Sequence, residues 1–212
     1  VNACIMGRFL NAGQSCISAK RIIVVEDIIE NFTNRLFKKV QKIKIGDPMD
    51  ENTDIGPMVN IEARDSIHRQ VLLSVKNSAK ILLGGIIPNR NGAFYPPTIL
   101  TNVNPGMPAF DEELFGPVMS IISASNEKES IVLANKSKFG LGAAVFTNNV
   151  KKGLKIAENN LDAGMCFIND FVKSDPRIPF GGIKDSGYGR ELGEQGIKEF
   201  VNLKTIVFKS NG

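Results

Sequence analysis

The run Phe9-Leu10-Asn11-Ala12-Gly13-Gln14-Ser15-Cys16 places a thiol at the end of a polar turn, three residues after a glycine and just ahead of a strand-like segment. Exposed backbone amides beside a thiol lower its pKa and can hold the negative oxygen that forms when a thiolate attacks a carbonyl, so Cys16 is a candidate nucleophile. A lone cysteine also serves as a small buried apolar residue. That second reading suits Cys4, within an apolar stretch, and Cys166, within the strand-like Ala163 to Asn169. A cysteine nucleophile usually works with a base, and the only imidazole is His68. A Cys-His hydrolase pair is one alternative, and a solvated surface histidine beside Arg69 is the other. Glu112 and Glu113 could act as an acid/base pair or form a charged loop. With Phe115-Gly116-Pro117 following, they also suit a nucleotide: a carboxylate accepts hydrogen bonds from two sugar hydroxyls while the ring packs on a flat heterocycle. One His and scattered Cys make no metal set. The G-x-G between Ser186 and Gly193 is no dinucleotide fingerprint, because no strand leads into it and the third glycine is misplaced.

Helices and strands must carry these residues. Arg21 to Glu26 is a β-branched run, followed by Ile29, Phe32, Leu36, Val40 and Ile43 at helical spacing. Asn60 to Ala79 reads as a second helix, leading into the strand-like Ala79 to Leu83, which closes on two glycines. The alternation then repeats: strand Val118 to Ala124, helix Glu127 to Lys136, strand Gly142 to Thr147, helix Val150 to Asn159, strand Gly164 to Asn169. Such alternation predicts an α/β fold, with a mostly parallel sheet flanked by helices on both faces. Two segments rich in Pro and Gly interrupt it, Pro105 to Pro117 and Ser174 to Gly193, and irregular loops are where function concentrates. A short helix around Glu194 to Phe200 leads to a last strand, Thr205 to Phe208, with nothing left in the sequence to cover it, so its expected pairing partner lies outside the domain. The expected division is a domain over residues 1–203 and a docking strand over 204–212.

Composition narrows the functional classes. The 212 residues are 42% apolar, enough for a sizeable core, and 26 Lys and Arg balance 22 Asp and Glu with little clustering. Nucleic acid is therefore not an expected partner. The basic stretch Lys38, Lys39, Lys42 and Lys44 reads as a solvated helix face. No run of about 18 apolar residues occurs, so no membrane partner is expected. Three cysteines form no disulfide framework, which makes a cytoplasmic setting the expectation. The chain starts at Val1 and runs directly into apolar residues, so an upstream segment is expected.

Taken together, three segments resemble the aldehyde dehydrogenase superfamily: Asn11 to Cys16 its active-site cysteine signature, Glu113 to Pro117 its nicotinamide-ribose motif, and the segment from Pro179 (PFGGIKDSGYGRELGEQG) its C-terminal signature. The resemblance covers essentially the whole chain. It implies the superfamily's catalytic domain without the Rossmann-like cofactor domain, and NAD or NADP as cofactor. By it, the Cys16 thiolate attacks an aldehyde to form a thiohemiacetal whose oxyanion is held partly by the Cys16 N–H. Hydride then leaves for nicotinamide, and the thioester is hydrolysed by a water that a glutamate activates. Glu113 would hold the ribose and Phe115 would pack near the ring.

The resemblance is nearest to succinate-semialdehyde dehydrogenases, through the segment from Ser174 and through Ala19 to Val24. That branch often carries an arginine where this chain has Leu10, so Asn11, Ser174 and Arg177 become the candidate substrate contacts. Ser18 stands where some relatives carry a second, redox-switch cysteine, and no switch is expected. The general-base glutamate, the side-chain Asn of the oxyanion hole and the cofactor domain all lie upstream of the cysteine in the family, and only 15 residues precede Cys16 here. The fragment alone is therefore expected to be inactive, the complete enzyme to be a dimer or tetramer, and the partner to be a small aldehyde. The rival from another class is a truncated, non-catalytic oligomerisation partner acting through the final strand.

Overall fold

The computed structural model describes residues 1–210. Helix α1 (Asn2–Phe9) runs into a tight 3-10 turn (Leu10–Gly13), after which β1 (Arg21–Val25) feeds α2 (Glu26–Val40). Then come α3 (Ile61–Lys76), β2 (Lys80–Leu83), β3 (Thr98–Thr101), the one-turn α4 (Pro108–Asp111), β4 (Val118–Ala124) and α5 (Glu127–Asn135). The last part holds β5 (Phe139–Gly140), β6 (Gly142–Val145), α6 (Val150–Asn159), β7 (Met165–Ile168), β8 (Ile183–Lys184) and α7 (Gly193–Lys198). Three helices start where an asparagine side chain can accept from an orphan amide: Asn60 from Ala63 N (2.8 Å), Asn126 from Glu129 N (3.0 Å) and Asn149 from Lys152 N (3.0 Å).

The α/β architecture is as the alternation predicts, but hydrogen bonding divides the strands. Four form a sheet in the order β1-β4-β3-β2, with β1, β4 and β3 parallel and β2 antiparallel to β3. β6 and β7 pair in parallel, and β5 and β8 antiparallel, as separate two-stranded units. β4 is central and buried on both faces, which explains its near-continuous apolar run. From one face Val118 and Ile122 join Ile67 and Val71 of α3 and Phe110 of α4; from the other, Met119 and Ile121 join Cys4 and Phe9 of α1 and Leu36 and Val40 of α2. Helices thus cover both faces, and each large apolar side chain so buried contributes about 1.5–3 kcal/mol.

α1, α4, β3, β5 and β8 have no counterpart in the sequence reading, and one expectation needs correction. The segment Thr205 to Phe208 forms no strand: residues 202–210 are exposed and carry no regular structure, because no strand edge among the described residues pairs with them. Residues 211 and 212 of the expected docking segment lie outside the described residues.

Candidate active site

The turn that carries Cys16 is held from both sides. Asn11, Ala12 and Gly13 adopt left-handed backbone in succession, at φ 52°, 53° and 71°, which reverses the chain at the end of α1. Asn11 Nδ2 donates to Gln14 O (3.0 Å), Gln14 Nε2 donates back to Asn11 O (3.3 Å), and Gln14 Oε1 accepts from Val59 N (2.9 Å). Beyond the cysteine, Ser18 Oγ donates to Arg8 O (2.8 Å) and Ala19 N to Gly7 O (2.9 Å). Cys16 itself is exposed and unpaired, whereas Cys4 is buried and Cys166 half-buried. Burial pushes both of those other thiols up.

The acidic loop is anchored through α4. Ser74 Oγ on α3 accepts from Ala109 N (2.9 Å), and Ser120 Oγ on β4 donates to Ala109 O (2.9 Å), so the two peptide groups flanking the Ala109 Cα are each fixed by a buried hydroxyl. After α4 the loop passes Glu112 and Glu113 and returns to the sheet, where Thr98 N donates to Pro117 O (2.8 Å). Gln70 Nε2 donates to the Glu112 carboxylate (2.8 Å) and to Glu113 O (3.1 Å), leaving the exposed Glu113 side chain directed by its loop.

These two loops meet. A cleft of about 400 Å³ between the β1 and β6 regions is lined by both Cys16 and Glu113, together with Arg8, Lys20 and Arg21. Phe115, 45% exposed, stands on the same loop as Glu113 but outside the lining, and Asn11, Ser174 and Arg177, in other segments, are outside the lining too. Asn11 is engaged in its own turn, and the Arg177 guanidinium pairs with Asp175 (2.6 and 2.9 Å). His68 is also outside. Its Nδ1 lies 3.1 Å from the Tyr95 hydroxyl and it does not line the cleft that holds Cys16, so the Cys-His alternative has no geometry to support it. Among the described residues no cluster of His, Cys, Asp and Glu could hold a metal, and no helix is long and apolar enough to cross a membrane.

Arg8 and Lys20 are functional-looking residues that the sequence reading passes over. Arg8 is fully buried, with Nη1 donating to Ser18 O (3.2 Å) and Nη2 to the carbonyls of Leu114 and Gly116. Burial pulls its pKa down to about 9, against the pull of Glu113, so it stays cationic at neutral pH. Burying such a charge costs several kcal/mol, offset by charge-assisted hydrogen bonds of about 1.5–3 kcal/mol each. Lys20 Nζ donates to Glu112 O and lies 5.2 Å from the Phe139 ring centre; burial, then the Arg21 cation, pull it down to about 8. Arg21 donates to Leu133 O and Ala134 O (both 2.8 Å), satisfying carbonyls at the end of α5. A signal for Arg8 was available, since it is the only charged side chain among the first nineteen residues.

Residues 1–206 match the sequence model of the aldehyde dehydrogenase family. The chain is 44% identical over 206 residues to the NAD(P)+ succinate semialdehyde dehydrogenase Sad of Escherichia coli strain K12, covering 97% of this chain and 44% of that protein. It is 47% identical over 199 residues to a probable NADP+ succinate-semialdehyde dehydrogenase of Synechocystis, covering 94% and 44%. The crystal structure of succinic semialdehyde dehydrogenase from Streptococcus pyogenes in complex with NADP+ superposes with a TM-score of 0.95 at 38% identity, covering 99% of this chain and 46% of that one. The chain therefore spans less than half the length of the relatives it matches.

Proposed function

The chain belongs to the aldehyde dehydrogenase family, and from that premise we propose that it supplies the nucleophile and the nicotinamide-ribose loop of an NAD(P)-dependent enzyme that oxidises succinate semialdehyde to succinate. The observation that carries the reading is that Cys16 and Glu113, far apart in sequence, line one cleft. Cys16 is exposed enough to reach an aldehyde carbon, and its thiolate forms a thiohemiacetal there. When bound, the cofactor accepts hydride from that carbon. Glu113 fits the ribose of such a cofactor because its exposed carboxylate is an acceptor only, and the half-exposed Phe115 ring beside it offers an apolar face. The resulting thioester on Cys16 is cleaved by water, which needs a base; in this reading that glutamate, like the cofactor domain, belongs to the rest of an enzyme about twice the length of this chain.

The cleft lining balances Arg8, Lys20 and Arg21 against Glu113, Asp162 and Asp185, so support for succinate semialdehyde as the substrate comes from the succinate-semialdehyde dehydrogenases that the chain resembles. Asn11, Ser174 and Arg177 remain the proposed substrate contacts, to be met from outside the cleft lining. Three unpaired cysteines suit a reducing, cytoplasmic setting. Phe200, Leu203, Ile206, Val207 and Phe208 are all exposed, which supports docking on a second subunit in a dimer or tetramer and keeps the non-catalytic oligomerisation reading as the rival.

Formation of NAD(P)H from succinate semialdehyde tests the proposal. The 212-residue chain alone is expected to give none, and turnover by it would refute the division of labour. In the complete enzyme Cys16→Ser is expected to lower kcat by about 10³-fold or more. Unchanged oxidation by that variant would refute Cys16 as the nucleophile.

A further inference from the structure

Arg8 is placed where a buried charge is least expected, in the last turn of an otherwise uncharged α1. Among the described residues no carboxylate lies within ion-pair distance of it. Its fork ends on main-chain oxygens of two separate loops instead. Nη1 reaches Ser18 O, two residues past Cys16, and Nη2 reaches the carbonyls of Leu114 and Gly116, which flank Phe115. The same two loops touch directly, for a methyl placed on Gly13 would overlap the Gly116 carbonyl and stand 3.0 Å from Arg8 Nη2. Both Nη groups end on backbone while the buried Nε has no partner, and an arginine whose fork is spent on backbone oxygens fixes where that backbone lies.

We propose that Arg8 is a positioning residue: its guanidinium ties the Cys16 turn to the Glu113–Pro117 loop, so that nucleophile and cofactor-holding carboxylate keep one spacing. The inference rests on the reading of Cys16 and Glu113 given above. Arginine suits this because one planar group directs donors along several fixed lines at once. A lysine in its place carries the charge on one point and cannot span both loops.

Native-state hydrogen exchange on this chain in mild urea tests the idea without aldehyde or cofactor, so a failure of the assay in the preceding subsection stays distinguishable from a failure here. The amides of Ser18, Ala19 and Gly116 all sit in local hydrogen bonds (to Ser15 O, Gly7 O and Leu114 O) and serve as reporters. In the unsubstituted chain they are expected to exchange through one shared opening with one urea dependence. In Arg8→Gln the two loops are expected to separate, with Gly116 and Ser18 exchanging at least about tenfold faster while the β4 amides of Ile121 and Ile122 change less than about twofold. Arg8→Lys is expected to behave like Arg8→Gln. Full protection in Arg8→Lys would show that charge alone matters, and equal acceleration in β4 would show a merely structural role; either overturns the proposal. If Arg8→Gln does not fold, the unsubstituted chain still decides: independent opening of the two loops overturns the coupling.

Discussion

Adding one methyl group at Gly13 should separate the two loops of the site. The residue sits at φ 71°, and a Cβ there would overlap the Gly116 carbonyl oxygen and stand 2.7 Å from its carbon. Ordinary contact begins at 3.4 Å, so clearing the carbon alone requires a 0.7 Å retreat by backbone on one side or the other. Neither partner is the flexible end of a side chain. The left-handed conformation costs an alanine about 1–2 kcal/mol, and overpacking of this kind adds about 1–3 kcal/mol. At about 2–4 °C per kcal/mol for a chain of this size, Gly13→Ala should melt about 10 °C below the parent chain in a circular-dichroism scan. Gly106→Ala is the control: its φ is 96° but nothing lies within 4 Å of the new methyl, so it carries the backbone cost without the collision. A Gly13→Ala chain that melts no lower than Gly106→Ala would refute the claim that the loops are in contact. In the complete enzyme a displacement approaching 1 Å should also lower kcat/KM, by up to about 10²-fold.

Reactivity and pH supply two more tests. One equivalent of iodoacetamide should label Cys16 first, since Cys4 is buried, Cys166 is half-buried and burial raises both of their pKa values; peptide mapping that finds Cys4 or Cys166 labelled first would contradict the exposed-nucleophile geometry. Lys20, with its pKa pulled down to about 8 from 10.5, binds fewer protons folded than unfolded between those values, so its burden on the fold is present at lower pH and is relieved as pH rises through that window. Urea midpoints should therefore show the parent chain gaining on Lys20→Met between pH 8 and pH 10, and a difference independent of pH would refute the assignment.

Some of this protein could be read from local pattern, and some could not. Strand β1, helices α2, α3, α5 and α6, and the central β4 announce themselves because β-branched and apolar runs and period-3.6 stripes are properties of neighbouring residues. The Cys16 turn and the Glu113 loop are equally local, and each declares its chemistry by residue type and spacing. β3 escapes such a reading: it is four residues long, follows two prolines, and its first three residues are fully buried, so no alternation marks it. The tail from Thr205 to Phe208 has strand composition, but a strand exists only when an edge receives its hydrogen bonds, and composition does not supply the edge. His68 was free to serve Cys16 until the fold turned it toward Tyr95. Arg8 shows the division most clearly. Its type and its isolation in an apolar helix are written in the sequence, but the carbonyls of Leu114 and Gly116 reach it only after β1 and β4 pair side by side, because which backbone oxygens meet a buried guanidinium is settled by packing between segments distant along the chain.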